Sequence, residues 1–217
     1  MLRLPTAQNK VAANASFLAA ILIHNLTYPL SAAGGIWPAL FYGFYAAIFV
    51  VATWALTDLR SLRTFVAGAG FAVFVAGLLN SYAPSQVAAL VVYLSSIAYH
   101  LGMVVVLAHY TFAAKTVMTD VLISATSLYL VIGSGFAAVL AFIEWGAPGS
   151  FVASSGAAID WQQMIYFSYV TLTTLGYGDI TPVGFYAQSF VAFEAIGGTL
   201  YTVMLLSRLV GLHASRN

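Results

Sequence analysis

The stretch Thr173-Thr174-Leu175-Gly176-Tyr177-Gly178-Asp179 can do chemistry with its backbone alone. Two glycines flanking a tyrosine open backbone angles that ordinary residues resist. A strand built this way can aim successive carbonyls at one axis while its side chains point away. Carbonyls so aimed replace the hydration shell of a cation. Elsewhere the chain offers little. It has no cysteine, so disulfides, thiolate metal sites and Cys nucleophiles are excluded. There is no catalytic triad, phosphate loop or metal-ligand cluster, and neither an enzyme nor a resident cofactor is expected.

The residues just before this strand say how it is positioned. In Asp160-Trp161-Gln162-Gln163, Asp160 can cap the amides of a helix whose third residue is Gln163. That helix runs to about Thr173 and is too short to cross a bilayer. It must enter from outside and stop near mid-membrane, with its C-terminal carbonyls presenting partial negative charge to the centre. Irregular backbone at that depth is tolerated only where it lines a watery path or is buried in protein.

Composition supplies the membrane. The chain is 62% hydrophobic and only 6% charged, where soluble domains run to about 25% charged, so a water-soluble fold is ruled out. A net charge of +1 provides no basic face for nucleic acid. Six apolar stretches reach spanning length: 11–31, 36–57, 64–80, 86–110, 121–145 and 185–212. If they alternate, Arg3, Lys10, Arg60, Arg63, Lys115, Arg208 and Arg216 all fall on one side, which the positive-inside rule makes cytoplasmic. Both termini are then inside, the loop joining spans five and six is outside, and the expected location is the plasma membrane. Trp37, Trp54, Trp145 and Trp161 sit near the expected interfaces. Gly68, Ala72 and Ala76 form a small-residue stripe suited to close packing of span three. Residues 146–159, rich in Gly, Ala and Ser, form a featureless outer turret.

With its flanks, the glycine-tyrosine-glycine segment resembles the selectivity filter of the tetrameric pore-loop potassium channels. Aromatic Tyr166 and Phe167 in the short helix and Pro182 beyond Asp179 match that family's pattern, and the resemblance covers about residues 121–212. Leu175 in place of the usual valine is the one departure; its side chain is expected in the surrounding packing. The resemblance implies an all-α membrane protein of six transmembrane helices with a re-entrant pore helix and filter, assembled as a homotetramer. It implies K+ held by the carbonyls of Thr174, Leu175, Gly176 and Tyr177, with Gly178 completing the filter. Thr173, Asp179, Tyr166 and Phe167 would support it. Residues 1–114 would form a four-span bundle and 115–217 the pore module, in a six-span, prokaryotic member.

Span six carries the expected gating positions. Gly197-Gly198 is a candidate bend, and Gly198 stands, relative to Asp179, where the family has its hinge glycine. Thr199, Thr202, Leu206 and Val210 fall on one helical face, with Leu206 and Val210 candidates for an apolar inner constriction. Glu194 is an ionisable group inside a span, a functional hypothesis by default; it is expected to face the pore helix, either as a gating element or as a neutral hydrogen-bonded Glu. The chain stops soon after span six, so no cytoplasmic ligand-binding domain is expected.

The first four spans resemble a voltage sensor only in number. Sensing needs several Arg or Lys in the fourth span, because each charge is worth only about 2.3 kcal/mol per 100 mV, and 86–110 contains none. His24 and His100 fall near mid-membrane, as a proton sensor, a haem site or plain hydrogen-bonding groups. Two rival readings stand beside a potassium channel: a non-selective cation channel, and a histidine-based haem or electron-transfer protein.

Overall fold

The computed structural model describes residues 7–114 and 118–214. Six helices are long and apolar enough to cross a membrane: α1 (Ala7–Thr27), α2 (Trp37–Leu56), α3 (Arg60–Tyr82), α4 (Gln86–Ala113), α5 (Thr119–Gly146) and α7 (Phe185–Ala214). The short α6 (Trp161–Leu172) lies between the last two. This is an all-α membrane protein; among the described residues, regular extended structure is limited to β1 (Phe151–Ala153) and β2 (Ile180–Pro182). Of the basic residues that orient the spans, Arg3, Lys115 and Arg216 lie outside the described residues, as does the start of the expected pore module at 115.

Local chemistry sets the helix ends. α1 stops at Thr27 rather than reaching 31 because proline disfavours the helical region at the residue before it, here Tyr28. The chain continues as a short 3-10 turn (Tyr28–Ala32), then turns into α2 through Gly34 and Gly35, with φ of 72° and 56°. α3 reaches back past its apolar run to Arg60, since arginine is a good helix former. Arg63 donates to the Trp54 carbonyl at 2.9 Å and to Asp58 at 3.1 Å. α4 begins at Ser85, whose side chain accepts the Ala88 N–H at 3.1 Å.

The four-span bundle closes around Tyr99 of α4, which is fully buried. Its hydroxyl donates to the Ala46 carbonyl and accepts the Phe49 N–H at 3.2 Å, locking α4 onto α2. The ring fills the space beside Gly70 of α3, where an added Cβ would come within 3.0 Å of it. Gly77 makes the same close approach to the Tyr42 ring. The packing stripe of α3 is therefore Val66-Gly70-Val73-Gly77, not the expected Gly68-Ala72-Ala76. Ala76 is buried, but Gly68 is exposed with nothing within 4 Å of an added Cβ. Small-residue spacing alone cannot choose between adjacent stripes; the aromatic partners on α2 and α4 do.

The first four helices pack against α5 and α6. Leu128 and Val131 of α5 belong to one buried cluster with Phe17, Phe41, Val66 and Tyr99. Phe41 of α2 packs against Trp161 at the start of α6, ring centroids 6.2 Å apart. Asn25 of α1 donates to the Tyr169 hydroxyl of α6 at 2.6 Å, and Ser134 Oγ of α5 lies 2.9 Å from the same oxygen.

Gly77→Ala is expected to destabilise the protein by about 1–3 kcal/mol through overpacking against Tyr42. Gly68→Ala is expected to be neutral or slightly stabilising through helix propensity. Thermal melts of both variants in detergent check this; equal effects would refute the assigned stripe.

Candidate functional site

The short helix is held at its N-terminal end by the capping box the sequence predicts. Asp160 Oδ1 accepts the Gln163 N–H at 2.9 Å, and Gln163 Oε1 accepts the Asp160 N–H at 3.0 Å, a complete capping box. At the inner end the chain leaves the helix but keeps its donors turned back onto it. Thr173 N–H donates to Tyr169 O (3.1 Å), Thr174 N–H to Thr171 O (2.9 Å), Leu175 N–H to Val170 O (2.9 Å) and Gly176 N–H to Val170 O (3.3 Å). With these donors committed inward, the carbonyls of residues 173–178 accept no hydrogen bond among the described residues.

The backbone angles explain how those carbonyls can share a side. Thr174, Gly176 and Gly178 have φ of 59°, 56° and 77°, while Leu175 and Tyr177 between them stay negative. Alternating left- and right-handed residues turn successive carbonyls toward one side, where they can face a cation. Glycine allows this freely at 176 and 178. Thr174 is the one non-glycine residue with positive φ among the described residues, a strain of roughly 1–3 kcal/mol that persists only where its surroundings enforce it. Sequence points to positive φ at the glycines but not at this threonine.

Within one chain Leu175 is 56% exposed and Tyr177 66%.

The exit of the strand is braced from two sides. Tyr166 Oη donates to Asp179 Oδ2 at 2.7 Å. Beyond Asp179, β2 pairs antiparallel with β1, matching Phe151 to Pro182, Val152 to Thr181 and Ala153 to Ile180. Ser154 N–H donates to the Asp179 carbonyl at 2.7 Å. Phe151 is buried edge-on against Phe167, 5.4 Å between ring centroids. Glu144 anchors the turn before β1, accepting the N–H groups of Gly149 (2.8 Å) and Phe151 (3.0 Å). The expected featureless turret thus contains a strand that holds the exit. Three residues are too few for alternation to reveal it, and burial of Phe151 was the remaining signal.

α7 divides into two faces. Thr199, Thr202, Leu206 and Val210 are exposed, as a shared unpartnered face requires. The opposite face packs on the chain itself. Tyr201 Oη donates to the Ala125 carbonyl at 2.6 Å. Arg208 donates to the carbonyls of Thr111 (2.7 Å) and Ala114 (2.5 Å) at the end of α4, with its guanidinium 5.4 Å from the Phe112 ring. Glu194 is fully buried and meets Ser168 of α6. The helix runs unbroken through Gly197-Gly198. Gly198 lies against the backbone carbonyl of Leu172, which an added Cβ would overlap, whereas Gly197 has open space. Gly198 therefore permits close approach of α7 to the end of α6. The same Leu172 carbonyl accepts the Tyr129 hydroxyl at 3.0 Å, so the last turn of α6 is fixed by both α5 and α7. Ser168, Tyr129, Tyr169 and Arg208 are contributors that spacing does not reveal.

The histidines converge on Tyr45. His24 stacks on Phe41 and Tyr45 at 4.7 and 4.6 Å, and the Tyr45 hydroxyl lies 3.1 Å from His100 Nδ1 and 2.7 Å from Ser96 Oγ. The cavity beside them is about 60 Å³, far below the roughly 300 Å³ at which pockets for organic ligands begin.

Comparison with known proteins bears on the same segment. Residues 116–212 match a family model described as "Ion channel". The match covers a little under half of the chain and takes in α5, α6, the filter-like strand and most of α7. The chain is also 38% identical over 78 residues to the protein called two pore potassium channel c of Oryza sativa subsp. japonica. That alignment covers 36% of this chain and only 16% of the relative. No solved structure matches. Sequence similarity and backbone geometry together support ion-channel activity for this part of the chain.

Gly198→Ala is expected to lower the melting temperature, by an amount equivalent to about 1–3 kcal/mol, because the clash is with backbone that cannot swing aside. Gly197→Ala should melt as the unsubstituted protein does. The reverse order would mean that Gly198 serves flexibility instead.

Proposed function

We propose that this chain is the subunit of a homotetrameric, potassium-selective channel of the plasma membrane. It conducts K+ passively through residues 173–178 and lacks a conventional voltage sensor. The observation that carries the reading is the row of carbonyls on 173–178 that accept no hydrogen bond. Unpaired carbonyls at membrane depth cost several kcal/mol each unless water or an ion meets them. A dehydrated cation is the ligand that a one-sided row of them suits.

One strand cannot enclose an ion, so the sites need copies around a symmetry axis. Two observations support that assembly. Leu175 and Tyr177 are left 56% and 66% exposed by a single chain, as side chains that pack against a neighbouring copy would be. And only 11% of the span Phe185–Arg208 is buried, against 44% of Thr119–Gly146. Phe185, Phe193 and Ile196 of α7 are among its most exposed apolar side chains, as an inner helix awaiting partners would have.

In this reading the Thr174, Leu175, Gly176 and Tyr177 carbonyls hold K+, and the Thr174 hydroxyl adds the innermost ligand. Gly178 completes the strand, and Asp179 forms a carboxylate ring at the outer mouth. Thr199 and Thr202 line the inner path, and Leu206 and Val210 narrow it at the cytoplasmic end. Lys10, Arg60, Arg63 and Arg208 lie on the cytoplasmic side, with both termini. The potassium channel named above as a partial relative points the same way.

In planar bilayers with potassium on one side and sodium on the other, the reversal potential is expected to shift toward the potassium equilibrium potential. Gly176→Ala should bring it close to zero, because a Cβ at positive φ forces the strand out of its alternating form. Substantial current with a reversal potential near zero in the unsubstituted protein would instead mean a non-selective cation pore.

A further inference from the structure

Ser168 of the short helix meets two acceptors with one proton. Its Oγ lies 2.7 Å from the carbonyl of Gly133 in α5 and is also in hydrogen-bond contact with Glu194 Oε1 of α7. A serine hydroxyl donates once, and the Gly133 carbonyl can only accept. Both contacts are satisfied together in one arrangement: Ser168 donates to Gly133, and Glu194 donates to Ser168. A carboxyl group can donate only as the neutral acid.

The second carboxyl oxygen agrees. Glu194 Oε2 is buried with no partner among the described residues. An ionised carboxylate would leave charge there unmatched, at a cost of several kcal/mol, whereas the carbonyl oxygen of an acid tolerates it better. Glu194 is 0% exposed within a single chain, so a second copy, lipid and bulk water are all shut out.

The titratable groups that face it are Tyr129 from α5 and Tyr169 from α6. Both hydroxyls are used elsewhere, on the carbonyls of Leu172 (3.0 Å) and Leu130 (2.8 Å). No lysine or arginine forms an ion pair with Glu194 among the described residues.

We infer that Glu194 is a neutral carboxylic acid serving as a hydrogen-bond donor, the first link of a relay Glu194–Ser168–Gly133 that ties α7 through α6 to α5. It is a positioning residue. The relay grips the helix whose last turn carries the filter-like strand, about one turn along α7 from the Gly198–Leu172 contact. Its effect on conduction rests on the channel reading above; the protonation state does not.

Infrared spectroscopy of the full chain in lipid at neutral pH tests the donor directly. The difference between the unsubstituted protein and Glu194→Gln should show loss of a carboxylic-acid carbonyl band. Loss of a carboxylate band in its place overturns the inference. Ser168→Ala should move the acid band to higher frequency as its O–H loses the acceptor, and an unmoved band overturns the relay. This second variant serves if Glu194→Gln does not fold. Potassium flux from vesicles supplies the functional arm. The Gln variant keeps a donor and should conduct like the unsubstituted protein, while Glu194→Ala should lose about tenfold, the equivalent of one buried hydrogen bond. Equal loss in both overturns the donor role. Absence of flux in every protein, the unsubstituted one included, would count against the channel reading, and the infrared bands would still decide the state of Glu194.

Discussion

Backbone carbonyls of residues 173–178 that find no partner among the described residues are the constraint around which α5, α6 and α7 are arranged. Hydrocarbon offers no water to satisfy them, so such a segment survives only where a polar path runs beside it. It must also be held open, since a relaxed chain would turn the carbonyls back into ordinary pairing. The positive φ at Thr174 is the local cost. The N–H groups of residues 173–176, turned onto the end of α6, are the local restraint.

That restraint is only as good as the position of α6, and the helix is gripped along its whole length. Its first turn is closed by the Asp160–Gln163 box and backed by Trp161 against Phe41. Its middle is tied through Ser168 and Tyr169 to α5, α7 and α1. At its end, the Leu172 carbonyl takes the Tyr129 hydroxyl while Gly198 lets α7 come into backbone contact. The strand pair then fixes the far side of the filter-like segment, so its two ends are anchored independently. A short helix of this kind is rigid by its neighbours rather than by its own propensity, as expected for a segment of twelve residues.

The first four helices enter this scheme as a buttress. They carry no ladder of basic residues, and the interior of their bundle is aromatic and histidine-containing, centred on Tyr45 and Tyr99. Their contacts with the last three helices occur at two places: Asn25 and Phe41 meet α6, and the end of α4 is held by Arg208 of α7. Movement of the bundle against α5 would therefore be felt at the outer end of α6 and at the inner end of α7 together.

Much of this was legible in the residue string, for a physical reason. The spans follow from hydropathy because a bilayer demands long uninterrupted apolar helices, and their observed bounds differ from expectation chiefly at Tyr28–Pro29 and Arg60, where local capping and propensity act. The Asp160–Gln163 box and the glycine alternation at 176 and 178 are local devices, encoded within a few residues of where they act. What tertiary structure alone decided involves partners distant in the chain. Which stripe of α3 packs depends on Tyr42 and Tyr99. The turret becomes a strand only because Ile180–Pro182 lies beside it. Gly198 is a contact point because Leu172 is there, and the state of Glu194 turns on one serine proton shared with Gly133. Short-range backbone chemistry and bilayer thickness write themselves into sequence; the choice of neighbour across helices does not, because many arrangements of the same apolar faces are compatible with the same pattern.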